Sequence, residues 1–249
     1  MLIVLFTALG VGGATVIGSL IGFIFKNISQ KFSDVILSFA AGVMLAAAII
    51  ELIVPSVDYG GKYGIIITVC GVFIGALALS LSDKIVPHAD KMLHLDSKVN
   101  STKLDKVMLF VLAIAIHNFP EGLAAGIGFG AENISQTMTI AGSIALQNIP
   151  EGLAVVAPML AVGVSRGKTF LIAVLTGVIE IVGTFIGYFA ISISAVILPF
   201  ALAFAGGTML YVIVHEIIPE THSHGAGNGE TYALLIGFSI MLIMDALFV

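Results

Sequence analysis

His117-Asn118-Phe119-Pro120-Glu121-Gly122-Leu123-Ala124 is followed 30 residues later by Gln147-Asn148-Ile149-Pro150-Glu151-Gly152-Leu153-Ala154, with Asn, Pro, Glu, Gly, Leu and Ala in register. Each copy lies within an apolar run, over 107–129 and 137–161. About 20 mostly apolar residues are enough for a helix to cross a bilayer. Both runs therefore read as spanning helices that carry polar groups at mid-depth. Residues i and i+4 share one helix face, so His117 lines up with Glu121, and Gln147 with Glu151.

On either side of these two runs the pattern predicts six more spans, over 1–25, 33–55, 64–82, 169–190, 194–217 and 231–249. The expected fold class is all-α: a polytopic membrane protein with eight transmembrane helices forming a single transport domain over 1–249. The composition agrees. Of 249 residues 59% are hydrophobic, only 10% are charged, and the mean hydropathy is +1.14. A soluble domain carries roughly 25% charged residues. A soluble enzyme, a nucleic-acid binder and a disordered chain are excluded on this ground. The single cysteine, Cys70, also excludes a disulfide framework and a cysteine-zinc cluster.

The longest polar connection is 83–106, with His88, Asp90 and His94; a shorter one, Glu220 to Glu230, holds His222 and His224. These histidines read as solvated, or alternatively as a weak metal trap. Nine of the ten basic residues follow the odd-numbered spans and only Lys62 lies on the other side. Loops rich in Lys and Arg stay in the cytoplasm, so the 83–106 loop is expected inside and both termini outside. Asp245, in the last turn of span eight, is expected at the interface. The first span has no preceding positive charge and does not read as a cleaved signal.

All Lys and Arg fall in predicted loops, yet Glu51, Glu121, Glu151, Glu180 and Glu216 fall within predicted spans. Each such acid costs about 2.5–3.5 kcal/mol to insert. Either the acids are protonated or they hold a cation. The repeated motif favours a metal, because imidazole with carboxylate suits zinc, iron or manganese better than an alkali ion. Pro120 and Pro150 strengthen this, since each removes a hydrogen bond from the carbonyl four residues earlier. His117, Glu121, Gln147, Glu151 and Glu180 all fall near the bilayer middle, Glu51 in the outer third, and His215-Glu216 at the inner end of span seven. His215 alone also fits a hydrogen-bonded core residue. His215-Glu216-Ile217-Ile218-Pro219 lacks the second His of a zinc-protease motif, and there is no phosphate-binding loop with Lys. The glycines at 18, 22, 122, 126 and 130 read as helix-packing positions.

The paired H-N-x-P-E-G and Q-N-x-P-E-G motifs resemble those of the ZIP (Zrt/Irt-like) metal transporter family, particularly its short prokaryotic members. The resemblance covers the whole chain. It implies a 3+2+3 helix arrangement, with spans one to three and six to eight as inverted repeats. It implies import of divalent transition metals into the cytoplasm through a two-metal centre, with the metal as substrate rather than cofactor, no enzymatic activity, a cell-membrane location and a homodimer. By motif, His117, Glu121, Gln147 and Glu151 would hold one metal. Asn118, Glu121, Asn148, Glu151 and Glu180 would hold the second, and His215 and Glu216 would lie on the pathway. Two positions depart from the family pattern: Ile181 follows Glu180 where proline is common, and Gln147 stands where histidine is common. Gln is the harder ligand, which widens the expected range from zinc to iron, manganese and cadmium. A metal-selective channel and an intramembrane metalloenzyme are the competing readings.

Overall fold

The apolar runs fold as helices. The computed structural model describes residues 1–24, 29–83, 101–130, 134–161, 163–193, 195–223 and 227–248, and no β-strand occurs among them. The helices are α1 (Leu2–Ile24), α2 (Gln30–Ala47), α3 (Val54–Tyr59), α4 (Gly64–Asp83), α5 (Ser101–Ile127), α6 (Ile134–Ala161), α7 (Arg166–Ile193), α8 (Leu198–Val212), α9 (Ile218–His222) and α10 (Asn228–Phe248). A π-helical turn, Ala48–Ile53, joins α2 to α3 without a break, and a second, Ile213–Ile217, joins α8 to α9. Six continuous helical segments are long and apolar enough to cross a membrane, with mean hydropathy from 1.6 to 2.4. The two motif helices, α5 and α6, are 27 and 28 residues long.

Local chemistry sets several boundaries. Ser29 caps α2 by accepting the Phe32 N–H at 3.2 Å. Glu230 turns back to accept the Gly227 N–H at 2.9 Å, closing the start of α10. The helix carrying the first motif begins at Ser101, not at 107, so the polar connection is shorter than the sequence pattern predicted. Leu104, Val107, Met108 and Val111 follow helical spacing and extend the apolar stripe backward. His88, Asp90, His94 and His224 lie outside the described residues.

Glycine decides how the helices pack, as expected where no hydrophobic force drives helices together. Between α1 and α6, a Cβ on Gly18 would strike the Ile149 carbonyl, and one on Gly152 would strike that of Thr15. Between α5 and α7 the same motif positions recur: a Cβ on Gly183 would meet the Phe119 carbonyl, and one on Gly122 that of Glu180. Gly42 and Gly237 meet Leu234 and Phe39 across α2 and α10, while Gly207 and Gly75 meet Val72 and Phe204 across α4 and α8. Gly12 and Gly177 abut each other's carbonyls where α1 crosses α7. The pairs Gly12/Gly177, Thr15/Glu180, Gly18/Gly183, Phe39/Phe204 and Gly42/Gly207 are each separated by the 165 residues that separate Thr15 from Glu180. The first and last parts of the chain thus repeat one another's contacts.

The closest packing joins α1 with α6 and α7, α5 with α7, α2 with α10, and α4 with α8. Two apolar grooves, of about 400 and 440 Å³, lie beside the motif prolines. One runs between Pro150 and Phe39, the other between Pro120 and Phe204.

Candidate metal site

The site is assembled at these helix crossings. Gly122 lets the α7 backbone touch α5, and this brings Glu180 beside Asn118. Asn118 Nδ2 donates to Glu180 Oε1 at 2.5 Å, and Asn148 Nδ2 donates to Glu180 Oε2 at 2.5 Å. Gln147 Nε2 donates to Glu121 Oε1 at 2.6 Å. Glu151 lies one turn from Gln147 on α6. Asn118, Glu121, Gln147, Asn148, Glu151 and Glu180 are each no more than 1% exposed. Six of the seven residues singled out for the central cluster therefore come together as buried groups. His117 lies on α5 one turn before Glu121, and its side chain is outside the described ones.

The hydrogen bonds orient the amides. With its nitrogen given to a carboxylate, each amide is left with its carbonyl oxygen. Asn118 Oδ1, Asn148 Oδ1 and Gln147 Oε1 are all buried with no hydrogen-bond partner. Buried polar atoms of this kind are uncommon and call for a ligand. Among the described residues, no three His, Cys, Asp or Glu side chains form a metal-sized group. The donor set is instead mixed, with amide oxygens interleaved among carboxylates. Such oxygen donors are hard and suit a divalent cation.

The remaining candidates lie apart from this cluster. Glu51 is buried on the first π turn and hydrogen-bonded to Asp245. Asp245, expected at the membrane interface, is thus paired with a buried acid instead. Two carboxyl groups in contact need a proton or cation between them. His215 and Glu216 lie on the second π turn, where the His215 ring packs on Tyr211 at 4.9 Å between centroids. Both accessory acids thus occupy π turns, which often mark functional positions. His222 Nδ1 is taken up locally, near the Ile218 carbonyl at 2.9 Å and Thr221. Asp34 and Glu230 are two further buried acids beyond the five expected in spans.

Sequence reasoning missed the contribution of α1. Thr15 Oγ1 donates to Glu180 Oε1 at 2.7 Å, and the Val11 carbonyl accepts from Asn148 Nδ2 at 3.2 Å. The usable signal was the parallel between Gly12-x-x-Thr15-x-x-Gly18 and Gly177-x-x-Glu180-x-x-Gly183.

A family model described as "ZIP Zinc transporter" matches residues 88–245, more than half of the chain. The chain belongs to the ZIP family. Several ZIP relatives match it along nearly their whole length. It is 36% identical over 240 residues to the zinc transporter GufA of Myxococcus xanthus, covering 94% of both chains. It is 38% identical over 253 residues to the zinc transporter ZupT of Chlorobaculum parvum, covering 95% of this chain and 94% of that one. With the zinc transporter ZIPB of Bordetella bronchiseptica the identity is 34% over 245 residues, 93% of this chain and 77% of that one. Family membership and the apolar helices together make this a multi-pass membrane protein.

Proposed function

We propose that the chain imports divalent transition-metal ions into the cytoplasm across the cell membrane, with zinc as the main substrate. The observation that carries this is the set of buried oxygens without hydrogen-bond partners, on Asn118, Asn148 and Gln147, set among Glu121, Glu151 and Glu180. No Lys or Arg falls in any predicted span, so a cation is the natural partner for this charge. In this reading His117, Glu121, Gln147 and Glu151 hold one ion. Asn118, Asn148 and Glu180, with the bridging Glu121 and Glu151, hold a second. The oxygen-rich donor set favours iron(II), manganese(II) and cadmium(II) as further substrates.

The same reading takes the chain as eight spans in a 3+2+3 inverted repeat, with both termini outside and one transport domain over 1–249. The repeated glycine contacts support the repeat, and the bias of basic residues supports the orientation. Glu51 with Asp245 would serve the outer approach, and His215 with Glu216 the inner exit. Backbone contact is closest within the α1, α5, α6, α7 group and within the α2–α10 and α4–α8 pairs. The apolar grooves lie between those sets, which suits alternating access by sliding of one set against the other. A homodimer belongs to the reading by family likeness.

Zinc uptake into proteoliposomes tests it. Glu121→Ala and Glu151→Ala should each abolish uptake, and wild-type uptake by both would sink the assignment.

A further inference from the structure

We propose that Thr15, a residue of α1 outside the repeated motif, is a positioning residue for the Glu180 half of the metal site and helps to set metal affinity there. This rests on the assignment of the central cluster as a metal site. Thr15 is fully buried, and its hydroxyl donates to Glu180 Oε1 at 2.7 Å. Glu180 therefore receives three donors from three helices: Thr15 on α1, Asn118 on α5 and Asn148 on α6. A carboxylate has about four acceptor positions, so these donors fix its rotation. Glu180 in turn holds the Nδ2 groups of both asparagines and leaves their Oδ1 atoms buried and without partners. Thr15 thus acts through Glu180 on the two amide oxygens offered to a metal.

The repeat explains why threonine stands there. Thr15 occupies the position in the first part of the chain that Glu180 occupies in the last. One turn away, Gly12 and Gly177 abut one another's carbonyls, so the equivalent residues at 15 and 180 are forced to face each other. Two carboxylates at this separation could not both be ionised. A hydroxyl at 15 removes the like charge and supplies a donor to the remaining one. The Thr15 backbone is separately fixed, since its carbonyl lies against Gly152. A side-chain change can therefore remove the donor without moving α1 from α6.

The test compares Thr15→Val, which keeps the shape, with Thr15→Ser, which keeps the hydroxyl. Purified protein is assayed for zinc binding at equilibrium, for zinc uptake in proteoliposomes and for thermal stability. Thr15→Val should raise the half-saturating zinc concentration about tenfold, the order carried by one hydrogen bond to a charged group. The maximal rate should change less than the half-saturation value, and the weaker of two zinc-binding steps should be the one affected. Thr15→Ser should stay within about twofold of wild type. If Thr15→Val does not fold, Thr15→Ala takes its place. Wild-type half-saturation and binding in the valine variant would overturn the proposal. So would equal loss in the serine and valine variants, which would mark a packing role. Glu121→Ala run in parallel separates the two readings: if it too leaves uptake intact, the metal site itself is misplaced.

Discussion

Gly183→Ala tests the way helix packing positions the site. Gly183 lies one turn after Glu180 on α7, on the face that meets α5. An added Cβ would lie 2.6 Å from the Phe119 carbonyl oxygen and 2.9 Å from the Leu123 nitrogen. Both are backbone atoms in mid-helix and cannot rotate away. Reaching an ordinary contact of 3.4 Å moves α7 from α5 by about 0.8 Å. Carried along the rigid helix to Glu180, that shift stretches the Asn118–Glu180 bond from 2.5 Å to about 3.3 Å, the outer limit for N–H···O geometry. The fold should survive, because the overpacking cost of about 1–3 kcal/mol is partly offset by roughly 1 kcal/mol of helix propensity gained over glycine. The site should not, because misplacement near 1 Å can cost about a hundredfold where several groups must converge. Zinc uptake by proteoliposomes should fall at least about tenfold, while detergent-solubilised protein keeps its helical content. Gly13→Ala is the control, since nothing lies within 4 Å of its added Cβ. Uptake by Gly183→Ala equal to that of Gly13→Ala would refute the claim that this crossing positions Glu180.

Gln147→His exchanges an amide that donates to Glu121 at 2.6 Å for an imidazole; the ratio of zinc to manganese uptake should rise several-fold, and an unchanged ratio would count against Gln147 as a ligand. Acidifying the outer medium should raise the half-saturating zinc concentration, because the glutamates must be deprotonated to bind a metal. A flat pH profile for zinc binding would contradict this. Ser56→Ala leaves the Thr68 hydroxyl and the Pro199 carbonyl without their buried partner, now at 2.7 and 2.6 Å. Stability should fall by about 1–3 kcal/mol, read as a lower unfolding midpoint with unaltered zinc half-saturation.

The helices were legible in the sequence because apolar runs of spanning length have few alternatives. The central cluster was legible because helical spacing, repeated 30 residues apart, puts Asn118, Glu121, Asn148 and Glu151 at matching depths. Glu180 joined them as a lone mid-span acid. Thr15 was not legible, because a threonine in a spanning helix ordinarily satisfies its hydroxyl on its own backbone, as Thr184 does on the Glu180 carbonyl. The pairing of Glu51 with Asp245 links distant parts of the chain, and no local pattern encodes it. The π turns were equally hidden, since one extra residue in a wholly apolar stretch leaves no mark on composition.

Those turns have a consequence for how the chain tolerates insertion and deletion. Each residue added to an α-helix turns the rest of that helix by about 100° around its axis. Removing one residue from Ala48–Ile53 would restore regular helix and swing α3 round by that amount. Ser56 would then face away from Thr68 and Pro199, and Tyr59 away from Gln136, its hydrogen-bond partner at 3.4 Å. The outer end of this span is therefore tuned in register, so a single-residue deletion there should be more disruptive than most substitutions at the same positions.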